Sequence, residues 1–379
     1  MHTTEKPQIP TWLRSAFTGI LIISSSVFSF AQVDRGGLTI EATARVGYDS
    51  NIFGNSSEVD DTFISIMPEL RFLKEDSLST INARVAMDFT RFDEQSATDF
   101  ENFYSSFEIS LPTNRASRLS GTFNIGYDSI NDTNLLINQR LDSDTFSSSA
   151  NFVFRVSPKT GLRAGFEYTD NQNELFSNTK INLLTAGVQY SVSSRTAVFL
   201  DGRLSETESD GGVDNRTKGF VVGLTGQLSP TLGGFVSIGS QSTDERGNIP
   251  GDSDSDQLIA FANLTWTPQE RTNVVLTFGR DMDVSPGDES VETTTARAQL
   301  NHDLSSALSI FGAIELRDLE FRNIANRKDD VTEFNGGITY SINPRFSTGA
   351  EVSFFNSNST DILSDYNREI YSIFASFAF

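Results

Sequence analysis

The chain of 379 residues has no cysteine and only two histidines. Without thiols it can form neither disulfides nor thiolate metal sites. His2 falls within an N-terminal leader, so His302 is the one histidine beyond it. A serine–histidine hydrolase needs a base within reach of its nucleophile and a third group to orient that base. Asp303 beside His302 is only an adjacent-residue pairing of the kind common in turns, so no catalytic residue is expected. Long apolar runs are also missing. Nothing after the leader approaches the roughly 20 apolar residues of a spanning helix, and mean hydropathy is -0.26, which excludes a helical membrane protein. Basic residues are scarce, 29 Lys and Arg against 50 Asp and Glu for a net charge of -21, so nucleic acid is not an expected partner. Asp252, Asp254 and Asp256 resemble the opening of a calcium loop. The glycine such a loop needs is replaced by Gln257, and Asn263 stands where its closing glutamate belongs. That segment reads as a solvated acidic loop, and neither a metal nor a cofactor is expected.

Phenylalanine, by contrast, is abundant, at 31 residues. A soluble domain would have to bury nearly all of those rings, whereas lipid gives them a place outside the fold. The first 31 residues read as a cleavable export signal: Lys6 and Arg14 precede an apolar run from Ala16 to Phe30, and the small residues Ser29 and Ala31 stand at the cleavage positions. Residues 32–379 then form one domain.

Within that domain the apolar residues alternate. Leu38, Ile40, Ala42, Ala44, Val46 and Tyr48 share one face, against Thr39, Glu41, Thr43, Arg45, Gly47 and Asp49 on the other. The same split recurs in Ile81, Ala83, Val85, Met87 and Phe89, and again in Leu308, Ile310, Ile314 and Leu316. A period of two in side-chain direction is the mark of a strand with two different surroundings. Pro112, Pro158, Pro230, Pro268 and Pro344 recur between alternating stretches, and a proline can neither donate to a ladder nor continue a strand. Where the proline is skipped, Ser193-Ser194-Arg195 and Asp303-Leu304-Ser305-Ser306 occupy the same place.

Strand–turn–strand units with one apolar and one polar face predict an all-β, transmembrane, antiparallel up-and-down barrel of about 18 strands, with 16 the alternative, each strand near the 9 to 11 residues that cross a bilayer. The segments Leu232–Gln241 and Ser290–Leu300, blurred by glycine and threonine, are the weakest strands. Proline turns should be short and periplasmic. The opposite connections, Ile130–Asp144, Thr169–Asn182, Glu206–Thr217 and Ser242–Asp256, read as long polar outer loops, and the first of these, with Leu135, Leu136 and Ile137, could fold into the bore. Tyr48, Tyr127, Tyr168, Tyr190, Trp266 and Tyr340 stand at strand ends on the apolar register, where interfacial girdles belong.

Apolar faces lipid, so the polar register should line the lumen. It carries Arg45, Arg71, Arg84, Arg155, Arg163, Arg203, Arg297 and Arg317 among Asp88, Glu108, Glu167, Asp201, Glu315, Glu333 and Glu351. Such charges either satisfy one another across strands or set a field in a water-filled bore. The expected activity is passage of hydrophilic solutes, with an acidic mouth that favours cations.

The last strand places Tyr371, Ile373, Ala375, Phe377 and Phe379 on one face, which resembles the C-terminal signal that directs outer-membrane barrels to insertion. Together with Arg45-Val46-Gly47-Tyr48-Asp49-Ser50-Asn51-Ile52-Phe53 and the Ser-Pro-Lys-Thr turn, the chain resembles the Putative beta-barrel porin 2 family. That resemblance implies a Gram-negative outer-membrane barrel without catalytic residues, some of whose relatives are associated with exopolysaccharide or capsule export. The partners it implies are outer-membrane lipid and lipopolysaccharide, the barrel-assembly machinery and polysaccharide export proteins. A plugged or narrow barrel acting as an export scaffold is the alternative to an open channel.

Overall fold

The structure is a computed structural model that describes residues 37–111, 117–134, 139–173, 177–211, 214–246, 255–284, 290–321, 327–361 and 365–379. The leader, Pro112 and Leu135 to Ile137 lie outside these residues, as do Asp252 and Asp254. The strands in chain order are β1 (Gly37–Asp49), β2 (Asp61–Glu75), β3 (Thr80–Phe92), β4 (Phe100–Leu111), β5 (Leu119–Asn134), β6 (Gln139–Arg155), β7 (Thr160–Asn173), β8 (Thr179–Ser191) and β9 (Thr196–Ser209). They continue as β10 (Asp214–Gln227), β11 (Leu232–Arg246), β12 (Ser255–Gln269), β13 (Thr272–Val284), β14 (Ser290–Asp303), β15 (Leu308–Phe321), β16 (Lys328–Asn343), β17 (Phe346–Ser359) and β18 (Tyr366–Ala378).

Every strand pairs antiparallel with its neighbours in sequence, and β1 pairs with β18 from Glu41 opposite Ala378 to Asp49 opposite Ile370. The 18-stranded sheet therefore has no edge. Closure satisfies the backbone polar groups that hydrocarbon could not, which is what lets a sheet cross a membrane at all.

Exposure is inverted relative to a soluble protein. Leu38 is 62% exposed and Ile373 65%, whereas Glu69 is 4% and Glu315 5% exposed. Large aliphatic and aromatic side chains cover the outside, and an apolar surface this extensive has no stable contact with water. Of the aromatic positions read as girdles, Tyr48, Tyr127, Tyr190, Trp266 and Tyr340 are exposed on that outer face, while Tyr168 is half-buried against Phe146, with ring centroids 6.2 Å apart.

Five of the short turns share one device. The side-chain oxygen of the residue that opens the turn accepts from the backbone N–H groups two and three positions on: Ser157 from Lys159 (3.2 Å) and Thr160 (3.0 Å), Ser193 from Arg195 (3.1 Å) and Thr196 (3.0 Å), and Ser305 from Ala307 (3.2 Å) and Leu308 (3.1 Å). Asn343 does the same for Arg345 and Phe346, and Asp76 for Leu78 and Ser79. A short polar side chain that mimics a turn's own carbonyl fixes these reversals whether or not proline follows. Proline alone is a poorer marker: Pro68 lies inside β2 and Pro268 inside β12. The ladder to β3 carries no pair at Met67 or Pro68, the place where the missing N–H would have been needed.

Two expectations are corrected. Strands run from 12 residues in β4 to 17 in β6, longer than a bilayer crossing requires. The extra length lies in segments read as loops: β5 continues to Asn134 and β6 resumes at Gln139, so most of Ile130–Asp144 is paired hairpin. Likewise β7 runs to Asn173, β8 starts at Thr179, β9 runs to Ser209 and β10 starts at Asp214. In these segments polar residues dominate both registers, so the sequence alternation fades while backbone pairing continues. Gly37 and Phe379 both sit at the short-turn rim, where Phe379 N–H donates to the Ile40 carbonyl at 2.8 Å.

Candidate functional site

Each strand sends alternate side chains inward, and the fifteen charged residues singled out from the sequence all occupy that inward register. What surrounds them differs by sector. On β1 to β3, Glu69 receives both Arg71 and Arg84, the latter through Nε to Oε2 at 2.9 Å, while Arg45 Nε lies 3.4 Å from Glu351 Oε2 on β17. Asp88 accepts from Ser65 Oγ (2.5 Å) and Thr90 Oγ1 (3.1 Å). On β14 to β16, Glu315 receives Arg317 Nε at 3.0 Å and Arg297 Nη1 at 3.2 Å, and Glu333 accepts from Asn335 Nδ2 at 2.6 Å. Glu108 accepts from Ser110 Oγ at 2.8 Å, and Arg155 donates to the Ser117 carbonyl near the short-turn rim.

One lumen feature is a cavity of about 280 Å³ on the arc from β6 to β14. Arg163 on β7 lies over the Phe199 ring, 4.3 Å from Cζ to centroid, and its Nε donates to both oxygens of Asp201 at 2.9 and 3.0 Å. Arg203 repeats the arrangement, lying 4.8 Å over the Phe261 ring with Nη2 donating to Asp281 Oδ2 at 3.3 Å. Gln241 Nε2 donates to the other oxygen of Asp281 at 2.6 Å. A guanidinium stacked on a ring keeps its in-plane donors free for a carboxylate, so each pair is held by two kinds of contact.

Arg203 and Asp281 belong to β9 and β13, with three strands between them. At about 4.8 Å per strand, some 19 Å of wall separates them, more than two side chains can bridge across a flat sheet. The wall curls inward here, over lumen-facing positions where glycine takes little room: a Cβ at Gly223 would stand 2.6 Å from Phe199 Cζ, and one at Gly187 would stand 2.1 Å from Asp201 Oδ1.

Sequence reasoning missed two of these carboxylates, Glu69 and Asp281, and the rings Phe199 and Phe261. The signal was present in Phe199-x-Asp201-x-Arg203, three alternate residues on one face. The abundance of phenylalanine points to lipid by residue type, whereas parity places Phe199 and Phe261 inside.

Apolar residues also fill the inward register near the long-loop rim. Val291, Leu319, Phe321, Val331 and Tyr366 form a buried cluster packed against Phe355, and Tyr366 and Phe355 stack at 5.1 Å. Arg327 lies over Phe321 and pairs with Asp329 at 2.7 Å, and Arg368 pairs with Asp49 at 2.6 Å. Beside them the connection from β1 to β2 is tied down: Asn51 Nδ2 donates to the carbonyls of Asn55 (2.7 Å) and Asn367 (2.9 Å), and Ile52 is fully buried.

His302 sits by the short-turn rim within 2.9 Å of Thr272 Oγ1. Tyr371, Ile373, Phe377 and Phe379 lie on the outer face of β18, where Phe377 and Phe379 meet edge to face at 4.6 Å.

Comparison with solved structures finds matches of low identity. Acinetobacter baumannii OccAB4 is 10% identical over 91% of this chain and 99% of its own, with a TM-score of 0.43. Pseudomonas aeruginosa OccK2 (OpdF) is 10% identical over 90% and 97%, with a TM-score of 0.45. Pseudomonas aeruginosa OpdK, solved with vanillate, is 10% identical over 90% and 99%, with a TM-score of 0.43. No curated protein matches the sequence. The model of one family does, over residues 37–377, and this chain belongs to that family, Putative beta-barrel porin 2.

Proposed function

We propose that this barrel is a channel of the Gram-negative outer membrane that passes hydrophilic solutes through its lumen. The observation that carries the reading is the opposition of faces in one wall: aliphatic and aromatic side chains outside, paired charges and hydroxyls inside. The short-turn rim would face the periplasm, and the long-loop rim, with Glu58, Asp60, Asp93, Glu94 and Asp99 in its connections, would face the exterior. An acidic mouth concentrates cations and repels anions over about a Debye length, 8 to 10 Å at physiological salt. Lining arginines and carboxylates matched in pairs set the bore's lateral field without a large net charge.

A narrow barrel is a second reading, favoured by the apolar cluster of Leu319 and its neighbours on the inward register near the outer rim. Such a constriction would restrict ion flow by excluding water. Planar-bilayer recording of the refolded protein tests both. Stepwise conductance with a cation preference that weakens at high salt is the expected result, and inserted, folded barrels silent under all conditions would contradict the channel.

A further inference from the structure

The geometry points to the β6–β14 cavity as a binding subsite for a neutral, polyhydroxylated solute of about monosaccharide size, and this rests on the channel reading only for how the solute arrives. Charge excludes the simplest alternative. Arg163 is committed to Asp201, and Arg203 to Asp281, so a carboxylate or phosphate would have to displace an existing partner to be held.

What remains unmatched is neutral or mixed in sense. Arg203 Nη1, Asn215 Oδ1, Thr293 Oγ1 and Thr295 Oγ1 all belong to residues lining the cavity and are buried without a hydrogen-bond partner among the described residues. They comprise one donor, one acceptor and two hydroxyls. Leaving such groups unsatisfied is unfavourable, so they select a ligand that supplies both senses at once. A polyol does so, since each hydroxyl donates and accepts. Glu167, which lines the same cavity in the field of Arg203, joins no hydrogen bond or ion pair among the described residues and offers a further acceptor. Phe261 and Phe235 give the cavity an apolar side on which the C–H face of a ring sugar can rest.

Saturation-transfer NMR on the barrel refolded in detergent tests this without requiring an open pore, with glucose as probe and ethylammonium and acetate as rivals. Glucose should bind saturably and outcompete both rivals. Its affinity should fall at least tenfold in Phe261→Ala and in the near-isosteric Thr293→Val/Thr295→Val double variant, which guards against a Phe261→Ala chain that fails to fold. Ser347→Ala, in the other lumen sector, should leave binding unchanged. Absence of glucose binding to a folded barrel, equal affinity in every variant, or tighter ethylammonium binding abolished by Glu167→Gln would each overturn the proposal. A barrel that binds glucose but never conducts would overturn the channel reading alone.

Discussion

Glu315 on β15 stands directly opposite Glu333 on β16, two carboxylates on the same inward face of adjacent strands. Like charges so placed repel, and the arrangement persists because Arg317 and Arg297 both donate to Glu315 while Asn335 donates to Glu333. Arg317 is 7% exposed. Arg317→Met should therefore destabilise the barrel by about 1.5–3 kcal/mol, because it leaves the buried Glu315 opposite Glu333 with only the more exposed Arg297 as counter-ion. Arg297→Met, at the more exposed partner, should cost about 1 kcal/mol or less. Urea unfolding in detergent micelles reads both. Replacing Glu315 as well, as Glu315→Leu/Arg317→Met, should recover most of the loss.

The outer wall makes a prediction of opposite kind. Leu200 is 50% exposed and Asp201, the next residue, is 7% exposed, so one step along β9 passes from lipid to lumen. Leu200→Arg should cost about 2–4 kcal/mol if it lies near the bilayer midplane. The same protocol in lipid vesicles measures it, and a change within about 0.5 kcal/mol, the range of ordinary surface substitutions, would count against lipid contact at Leu200.

Gly226 and Gly234 face each other across β10 and β11 with φ of +112° and +131°. A Cβ at Gly234 would meet the Asn263 carbonyl oxygen at 2.0 Å, whereas one at Gly279 meets nothing within 4 Å. Gly234→Ala should thus lose about 1–3 kcal/mol, while Gly279→Ala should gain up to about 1 kcal/mol from reduced backbone freedom in the unfolded chain. Comparing the two variants by the same unfolding assay isolates backbone strain from side-chain size.

Leu319 is fully buried on the inward register. If its cluster narrows the bore, Leu319→Ser should raise single-channel conductance by wetting the constriction, at a stability cost of about 2–5 kcal/mol as expected for removing a core aliphatic side chain. Unchanged conductance in folded barrels would remove the constriction.

How far the fold could be read from sequence follows from where the two faces differ. Within the hydrocarbon each strand meets oil on one side and polar side chains on the other, so Leu38 to Asp49 announces a strand residue by residue, and even the blurred Leu232–Gln241 and Ser290–Leu300 lie within β11 and β14. Beyond it, Asn131–Asn134 is polar in both registers and looks like loop, although its ladder to β6 continues. The turns were legible through proline only by association, since Ser193 and Ser305 build the same reversal by accepting backbone N–H groups. Which strand a charge belongs to is readable from parity. Its partner is not, because Arg203 finds Asp281 only through curvature of the wall, and Arg71 and Arg84 converge on a Glu69 hidden behind Pro68.

Val85 and Arg84 test the inside-out wall most directly. Val85 is 42% exposed and Arg84 donates to the buried Glu69. With a nitroxide at Val85→Cys or Arg84→Cys in lipid vesicles, collision with dissolved oxygen should dominate at position 85 and collision with a water-soluble nickel chelate at position 84. The same dominant quencher at both positions would contradict a wall with lipid on one side and a polar lumen on the other.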